Sequence, residues 1–557
     1  MKNKFIYFAV LAAMGFASCE PEFDNELSNA NYSAGEADFS RYVAVGNSLT
    51  AGYMDGTVSR GGQVYSYPNL LSQKFALVGG GEFTQPSYAD DINNLGGLTL
   101  GGMQIGNTRL VIDFSAGGPE PIAGTSTIEV SNLQAKAYNN MGVPGAKSFH
   151  LLASGYGNVA GVAVGMANPY FVRHASTPTA TVLEDAMSKN PTFFTNWIGA
   201  NDVLAYSTSG GAINDNPATT TVDESLIAAA DHNATGNMNP ATYGGNDITN
   251  ATVYGGVYTQ IINALTSGGA KGVVCTIPNV TSIPYFTTVP YKPLTAQGIG
   301  KGLVPAGSTT EQQIAAGTAA MNQLNSQLYT MLDGLFTAYG QPNRVNPLDP
   351  TKANPILIHD VDAIDRSTEI TGALTPLYGA AIAGQFGAAF GKCRQSASTD
   401  LIVLPASSVI GTSNPFATAA MLSVGANKNG VSYPISNKYV LTANEALKAT
   451  NATSAYNNAI RSIAASKGLA VADMNEIMGR LVSGLRLDDG QIYTANYFAG
   501  ASNLSTVLFS LDGVHPNARG YAVIANEIIK VINSHYKARL PIHEIGGFPG
   551  VTVLGSN

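Results

Sequence analysis

Cysteine and charge are both scarce in this sequence. The 557 residues include three cysteines, and only 12% of the residues are charged. So few cysteines exclude a disulfide-stapled scaffold. Neither Cys275 nor Cys393 has a neighbouring His or a CxxC partner, so the sequence predicts no thiolate metal site, no other metal and no cofactor. A single disulfide between these two residues is left open, although the apolar run around Cys275 favours a buried hydrophobic role.

Basic residues are neither abundant nor clustered. Lys and Arg number 29 against 37 Asp and Glu, and the net charge is -8. Phosphate recognition needs a concentrated basic patch, so nucleic acid and other acidic polymers are excluded as partners. Hydrophobic residues make up 45%, enough for a large core, and the 61 glycines indicate long ordered loops on a globular body.

The amino end has the pattern of an export signal. Lys2 and Lys4 precede an apolar run over residues 5–16, which is too short to span a bilayer. The segment Phe16-Ala17-Ser18-Cys19 then resembles the lipobox of bacterial lipoproteins. This resemblance implies a signal peptide at residues 1–18 and a lipid anchor on the thiol of Cys19. An ordinary signal peptide with an incidental cysteine is the alternative.

An acidic stretch follows this cysteine. Glu20, Glu22, Asp24 and Glu26 begin the segment 19–38, which we predict to be a flexible tether. The stretch resembles the acidic export signal of surface lipoproteins in some Gram-negative bacteria. These features imply an exported protein anchored in the cell envelope, at the outer membrane of a Gram-negative bacterium, with exposure at the cell surface left open.

Four short apolar segments have the composition of strands in a parallel sheet. They are rich in β-branched residues and do not alternate, as expected of strands that helices cover on both faces. These segments are residues 42–45, 192–198, 272–277 and 469–473. Helical spacing of apolar residues occurs at 253–265, 443–467 and 518–536. Strands that alternate with helices predict a doubly wound α/β architecture.

Three long stretches rich in Gly, Thr, Asn and Pro do not fit this alternation. They cover residues 54–137, 207–250 and 287–437. Ligands of open α/β folds bind beyond the carboxyl ends of the strands, where loops shape the pocket. We therefore interpret the three stretches as insertions that control substrate access. The third contains a helical pattern at 310–335 and apolar runs at 355–359 and 400–404, and whether it is a separate domain is left open.

A serine and a histidine–aspartate pair lie next to predicted strand and helix ends. Ser48 follows Gly46 directly after the first strand, where the amides of a helix start favour developing negative charge. Asp512 and His515 lie three residues apart on a loop before the final helix. This spacing lets a carboxylate orient one imidazole nitrogen while the other takes a proton from a serine. Each feature alone is common in turns and helix caps.

The combination of motifs resembles the SGNH (GDSL) hydrolase family. Gly46-Asn-Ser-Leu49 and Asp512-Gly-Val-His515 look like the first and last blocks of that family. Residues 140–146, NMGVPGA, look like the second block, and residues 198–202, IGAND, look like the third. Residue 47 is Asn where the family has an Asp that supports the loop, and we expect activity to survive this difference.

The resemblance implies a serine hydrolase of esterase or deacetylase type. Ser48 would be the nucleophile, His515 the base and Asp512 the residue that orients the base. The amides of Ser48 and Gly145 and the side chain of Asn201 would form the oxyanion hole. The substrate would be an ester of an acylated carbohydrate or lipid. The rival hypothesis is a catalytically idle lipoprotein of the same fold that binds glycan or partner proteins.

The same resemblance implies the fold. It would be a three-layer α/β/α, flavodoxin-like SGNH hydrolase domain with a parallel central sheet. This domain would cover residues 39–537, including the three insertions, and a C-terminal tail would follow at 538–557.

Four further positions carry weaker signals. Trp197, the one tryptophan, either lines the pocket or packs under the sheet, and core packing is favoured. Asp202 follows Asn201 and is expected to fix the loop of that residue by hydrogen bonds, a structural role. Asp90 and Asp91 could suggest calcium, but their spacing is not that of a known ligand set. A solvated loop is the favoured interpretation.

Overall fold

The computed structural model describes residues 31–113, 118–213, 226–423, 425–500 and 502–554. The predicted signal peptide, the anchor site Cys19 and the first part of the predicted tether lie outside these ranges. No helix within the described ranges is long and apolar enough to cross a membrane.

A five-stranded parallel sheet forms the centre of the molecule. Its strands are β1 (Tyr42–Gly46), β2 (Asn140–Gly142), β3 (Phe193–Trp197), β4 (Lys271–Cys275) and β5 (Ala470–Ala472). The spatial order is β5-β4-β3-β1-β2, and every neighbouring pair runs parallel. The predicted α/β class with a parallel central sheet is therefore confirmed, and all four predicted strands are present.

Both faces of this sheet are covered. All five residues of β1 and all five of β3 are buried, which explains why neither strand alternates between apolar and polar residues. Phe193 packs against Phe75 and against Tyr536, with ring centroids 5.7 Å apart in both pairs. The helices that carry these two rings cover one face. Because successive side chains of a strand alternate, the buried Phe194 faces the other way.

The helices of this central body include the three that the sequence predicts. They are α1 (Ser48–Ala51), α2 (Tyr67–Phe75), α3 (Val182–Ser188), α4 (Asn201–Thr208), α5 (Ala251–Thr266), α6 (Ala443–Lys467), α7 (Met474–Ser483) and α8 (Ala518–Tyr536). The bounds of α6 and α8 match the prediction because both ends carry strong signals. Thr442 and Glu445 form a capping box at the start of α6, and Gly468 ends it in the left-handed conformation.

The first predicted insertion, residues 54–137, includes part of the central body. Helix α2 lies within it, connects β1 to β2 and buries Tyr67, which packs edge-on against Trp197 at 5.7 Å between ring centroids. The stretch after α2 forms two antiparallel hairpins, Leu98–Leu100 with Met103–Gly106 and Leu110–Asp113 with Gly118–Pro121. The part of this insertion that lies outside the central body is thus shorter than predicted.

The third predicted insertion, residues 287–437, has a hydrophobic cluster of its own. Tyr329, Leu332 and Phe386 are among its buried members. The longer elements around the cluster are Ala296–Lys301, Thr310–Leu324, Thr330–Ala338, Ser367–Tyr378, Ala380–Phe390, Ala419–Ser423 and the strand pair Leu357–His359 with Cys393–Gln395. The helix predicted at 310–335 is present, with a π-helical turn at Asn325–Tyr329.

Short elements connect these parts. They are the helices Arg60–Gln63, Pro169–Val172, His232–Thr235 and Pro284–Thr287, and the antiparallel pairs Leu401–Ile402 with Val440–Leu441 and Leu485–Arg486 with Ile492–Tyr493. The first pair joins the predicted apolar run at 400–404 to the start of α6.

Both described cysteines are free and buried. Cys275 lies in β4 within the main core, and Cys393 lies in the separate cluster of the third insertion. The buried hydrophobic role predicted for Cys275 is confirmed, and the disulfide that was left open is not formed.

The end of the predicted tether is bound to the central body. Within the segment 19–38, Ser33 pairs with Arg539 and the amide of Glu36 donates to the carbonyl of Tyr536 at 2.7 Å. Ala37 is buried. The prediction of a flexible tether is therefore wrong for these residues, because the backbone after α8 offers them hydrogen-bond partners that the sequence does not reveal.

Candidate active site

Ser48 lies at the sharp turn between β1 and α1. Gly46 is required there, because a Cβ at this position would lie 2.1 Å from Oγ1 of Thr50 and 2.6 Å from the carbonyl oxygen of Trp197. The side chain of Asn47 caps α1 by accepting the amide N–H of Leu49 at 3.1 Å. The turn leaves Ser48 6% exposed, at the carboxyl edge of the sheet.

A chain of hydrogen bonds joins Ser48 to the loop before α8. Nε2 of His515 lies 2.8 Å from Oγ of Ser48, and Nδ1 of His515 lies 2.9 Å from Oδ2 of Asp512. Oδ1 of Asp512 accepts the amides of Val514 and His515, each at 2.8 Å. The structure therefore brings the three predicted residues into direct contact across 467 positions of sequence.

Asp512 is held in its ionised form. Burial opposes ionisation, but attraction to the imidazole of His515, the hydrogen bond from its ring and the backbone amides of His515 and Val514 outweigh it. Together they hold the pKa of Asp512 below its usual value. An ionised carboxylate accepts the Nδ1 proton of His515 and leaves Nε2 free to accept a proton from Ser48.

Two tyrosines fix the position of the imidazole. The ring of Tyr53 lies 4.5 Å from the ring of His515, measured between centroids. The hydroxyl of Tyr521 in α8 donates to the carbonyl of Tyr53 at 2.6 Å. The loop after Ser48 and the helix after His515 are thus joined directly, and the orientation of the base does not depend on Asp512 alone.

Gly145 lies in a tight turn next to the end of β1. The amide of Ala146 donates to the carbonyl of Val143 at 3.1 Å, and the amide of Val143 donates to Gly46 at 3.0 Å. Pro144 and Gly145 occupy the centre of this turn, and Gly145 has φ +79°, the pattern of a type II turn that requires glycine at this position. Gly145 is exposed, and its N–H donates to no other described residue.

The backbone amide of Ser48 also has no acceptor within the described part of the chain. Its N–H likewise donates to no described residue, because it precedes the first turn of α1. The backbone amides of Ser48 and Gly145, which follow the neighbouring strands β1 and β2, are therefore available to a ligand.

Asn201 begins α4 and contacts the loop that carries Gly145. Its Nδ2 donates to the carbonyl of Ala146 at 2.9 Å, which leaves the second hydrogen of the amide for another acceptor. Asp202 accepts the amide and the hydroxyl of Ser148, both at 2.8 Å. Asp202 therefore has the predicted role of fixing a loop by hydrogen bonds, but this loop is the one after β2 and not the predicted loop of Asn201.

Asn47 fits its buried position incompletely. It is 1% exposed, and its Oδ1 caps α1, but its Nδ2 forms no hydrogen bond within the described part of the chain. An Asp at this position would also accept the hydrogen bond that the amide of Leu49 donates to Oδ1 of Asn47. The helix cap is therefore preserved, although the family that the sequence motifs resemble has Asp at this position.

Asp55 is a second carboxylate beside Asp512, and the sequence analysis missed it. Its Oδ1 accepts the amide of Leu511 at 3.0 Å, and its own amide donates to Oγ of Ser510 at 3.0 Å. Burial raises the pKa of Asp55 to about 7, against the hydrogen bond from Leu511, and the negative charge of Asp512 adds to the increase. The Asp55-Gly56 pair is a turn signal, but nothing local indicates its contact with the distant loop.

The raised pKa of Asp55 predicts a pH-dependent stability. Between about pH 4 and pH 7 the folded protein holds a proton on Asp55 that the unfolded chain releases, so this group's contribution falls as pH rises. The increase in the pKa of Asp55 from 3.8 to about 7 corresponds to about 4 kcal/mol of folding free energy. Asparagine tolerates the left-handed φ of +54° at this position. Asp55→Asn should therefore remove the loss of stability between about pH 4 and pH 7.

Thermal unfolding measured across this pH range tests the prediction. The melting temperature of Asp55→Asn should exceed that of the wild type at pH 8, and the two should converge near pH 4. Parallel curves over the whole range would contradict the assignment of the titration to Asp55.

Two weaker predictions have opposite outcomes. Trp197 is 2% exposed and its Nε1–H donates to the carbonyl of Thr276 at 3.1 Å, so the core-packing interpretation is confirmed. The solvated loop favoured for Asp90 and Asp91 is wrong for Asp91, whereas the side chain of Asp90 is 29% exposed and forms an ion pair with Arg173 at 2.7 Å. Asp91 is fully buried and accepts backbone amides, including that of Leu95 at 2.9 Å. Within the described ranges, no group of three His, Cys, Asp or Glu side chains could hold a metal ion.

Comparison with known proteins identifies no relative of this chain. No protein-family model, no curated protein and no solved structure matches this chain.

Proposed function

We propose that this protein is a serine hydrolase of SGNH type that cleaves carboxylic esters, with an acylated carbohydrate or lipid as the substrate class. The observation that carries the proposal is the continuous contact from Ser48 through His515 to Asp512, at 2.8 Å and 2.9 Å. Donors without a partner among the described residues lie beside it. A nucleophile, a base, an orienting carboxylate and unpaired donors are the parts that acyl transfer needs.

The reaction follows from these positions. Oγ of Ser48 attacks the ester carbonyl carbon while Nε2 of His515 takes the hydroxyl proton. The carbonyl oxygen becomes an oxyanion, which the amides of Ser48 and Gly145 and the side chain of Asn201 stabilise. His515 then gives its proton to the leaving alcohol. Water enters, loses a proton to His515 and releases the acid from Ser48 by the reverse of these steps.

The fold supports the same proposal. Counted along the sequence, the strands lie in the order 2-1-3-4-5, which is the order of flavodoxin-like doubly wound sheets. The ends of β2, β1 and β3 are neighbours in this order. Those ends lead to Gly145, Ser48 and Asn201, so the proposed donors and the nucleophile share one edge of the sheet.

The contacts also favour hydrolysis over the rival hypothesis of an idle binding protein. A protein under no demand for catalysis has no reason to keep an imidazole bonded to both a serine and a buried carboxylate. The deciding experiment is the release of nitrophenol from nitrophenyl acetate by the folded full chain. Absence of release above the buffer rate would contradict the proposal.

Asn201→Ala should lower kcat for this ester roughly 100- to 1,000-fold, because it removes one oxyanion donor. KM should change little, since the donor acts on charge that develops in the transition state. The exposed Asn263 in α5 offers a matched control, and Asn263→Ala should keep the wild-type kcat. A change in KM with an unaltered kcat would argue that Asn201 serves ground-state binding instead.

A further inference from the structure

A large cavity opens beside Asp512, between the first and third insertions. Its volume is about 1180 Å³, at the upper end of the roughly 300–1,000 Å³ of pockets that bind small molecules. Leu110 and Pro119 line it from the first insertion, Ile299 and Ile410 line it from the third, and Asp512 is also a lining residue.

The walls of this cavity rest on the catalytic loop. The amide of Tyr285 donates to the carbonyl of Gly513 at 2.9 Å. A Cβ on Gly513 would lie 2.9 Å from a methyl carbon of Leu404. Both Tyr285 and Leu404 line the cavity. Gly513 separates Asp512 from Val514 and His515, so the cavity begins within a few residues of the proposed base.

The lining offers few hydrogen-bonding groups to a ligand. The hydroxyls of Thr288, Ser407, Ser408 and Thr412 each donate to a backbone carbonyl three or four residues away. The tyrosine hydroxyls are also engaged, that of Tyr285 with Thr208 and that of Tyr497 with Leu511. Sugar recognition needs free polar groups that fix orientation, and here most are already paired.

Charge is equally scarce in the lining. Lys428 and Asp512 are the charged residues among the described lining residues. Nζ of Lys428 lies 3.1 Å from Oγ of Ser413, and both oxygens of Asp512 already accept hydrogen bonds. Apart from Thr295, the other lining residues are Leu, Ile, Val, Pro and Gly, and Leu303 is 59% exposed.

We propose that this cavity binds the acyl chain of the substrate, so that the preferred substrates are long-chain acyl esters rather than acetylated sugars. This inference rests on the proposed hydrolase function and specifies its substrate class. A smaller apolar cavity of about 120 Å³ adjoins Leu49 and Val514, but it is well below the roughly 300 Å³ that ligand pockets need.

The chain-length dependence of hydrolysis tests the proposal. Each methylene that enters an apolar cavity should raise kcat/KM up to about fourfold. Nitrophenyl dodecanoate should therefore exceed nitrophenyl acetate by roughly 100-fold or more in kcat/KM, which corresponds to burying only three or four methylenes.

A bulky residue in the cavity should remove this preference. Gly302 lines the cavity, and a Cβ there would meet nothing closer than 3.8 Å. Gly302→Trp should lower the ratio of dodecanoate to acetate kcat/KM at least tenfold. Gly334→Trp is the matched control, because Gly334 is exposed outside the cavity and a Cβ there meets nothing within 4 Å. This control should keep the wild-type ratio.

Direct binding gives a readout that does not need turnover. Dodecanoate, titrated calorimetrically into the folded full chain, should bind with a negative heat-capacity change, and Gly302→Trp should weaken its binding at least tenfold. Hydrolysis of acetate with a flat chain-length profile, or an unchanged ratio in Gly302→Trp, would overturn the cavity proposal and leave the hydrolase proposal standing. If no ester is hydrolysed and dodecanoate does not bind, both fail.

Discussion

Ser48→Ala should lower kcat for any ester substrate by roughly a millionfold. The variant lacks the hydroxyl oxygen that Nε2 of His515 contacts at 2.8 Å, so no covalent acyl intermediate can form. Steady-state release of nitrophenol measures the loss. The oxyanion donors remain in place, and a residual rate above the uncatalysed one is expected from them.

The fold of this variant should be intact. Ser48 contributes a small side chain at the start of α1, while the cap is supplied by Asn47, so the melting temperature should stay close to that of the wild type. Ser423→Ala, at an exposed helical serine, is a control that should keep full activity. If Ser48→Ala kept more than a hundredth of the wild-type kcat while folded, another nucleophile would have to be sought.

Asp512→Asn should lower kcat by about 10,000-fold. The Asp512 carboxylate accepts the Nδ1 proton of His515 at 2.9 Å, whereas an amide can present an N–H to the same nitrogen. The imidazole would then carry its proton on Nε2, which faces Ser48, and could no longer act as its base. The side chain keeps its shape, but it loses its charge and the oxygen that accepts both the Nδ1 proton of His515 and the amide of Gly56.

Asp488→Asn provides the matched control for this substitution. Asp488 is exposed and lies 3.2 Å from Lys530, a surface ion pair of small energetic value. Its replacement should leave kcat unchanged. Retention of more than a tenth of the wild-type kcat by Asp512→Asn would show that Tyr53 and the loop orient His515 without the carboxylate.

The parts of the fold with local signals could be predicted from the sequence. Strands β1 and β3 are buried on both faces, and α6 carries a capping box and a terminal glycine. Strand β2 has no such signal. It consists of Asn140, Met141 and Gly142, and it becomes a strand through its pairing with Ala44, Val45 and Gly46.

The same distinction applies to the candidate site. Ser48, Asp512 and His515 each lie in a motif that can be read from a few neighbouring residues. Tyr53 and Asp55 cannot be found in this way, because their contacts with His515 and Leu511 bridge more than 450 positions. The cavity beside Asp512 is also beyond the sequence, since residues of two separate insertions line it and neither insertion has a pattern that indicates the other.

The most direct test of the central claim is the site of reaction with a fluorophosphonate. The folded full chain is treated with the probe and digested, and the adduct is located by peptide mass analysis. The account predicts one adduct on Ser48, and none in Ser48→Ala. A folded protein that takes up no probe, or an adduct on a different residue, would contradict it.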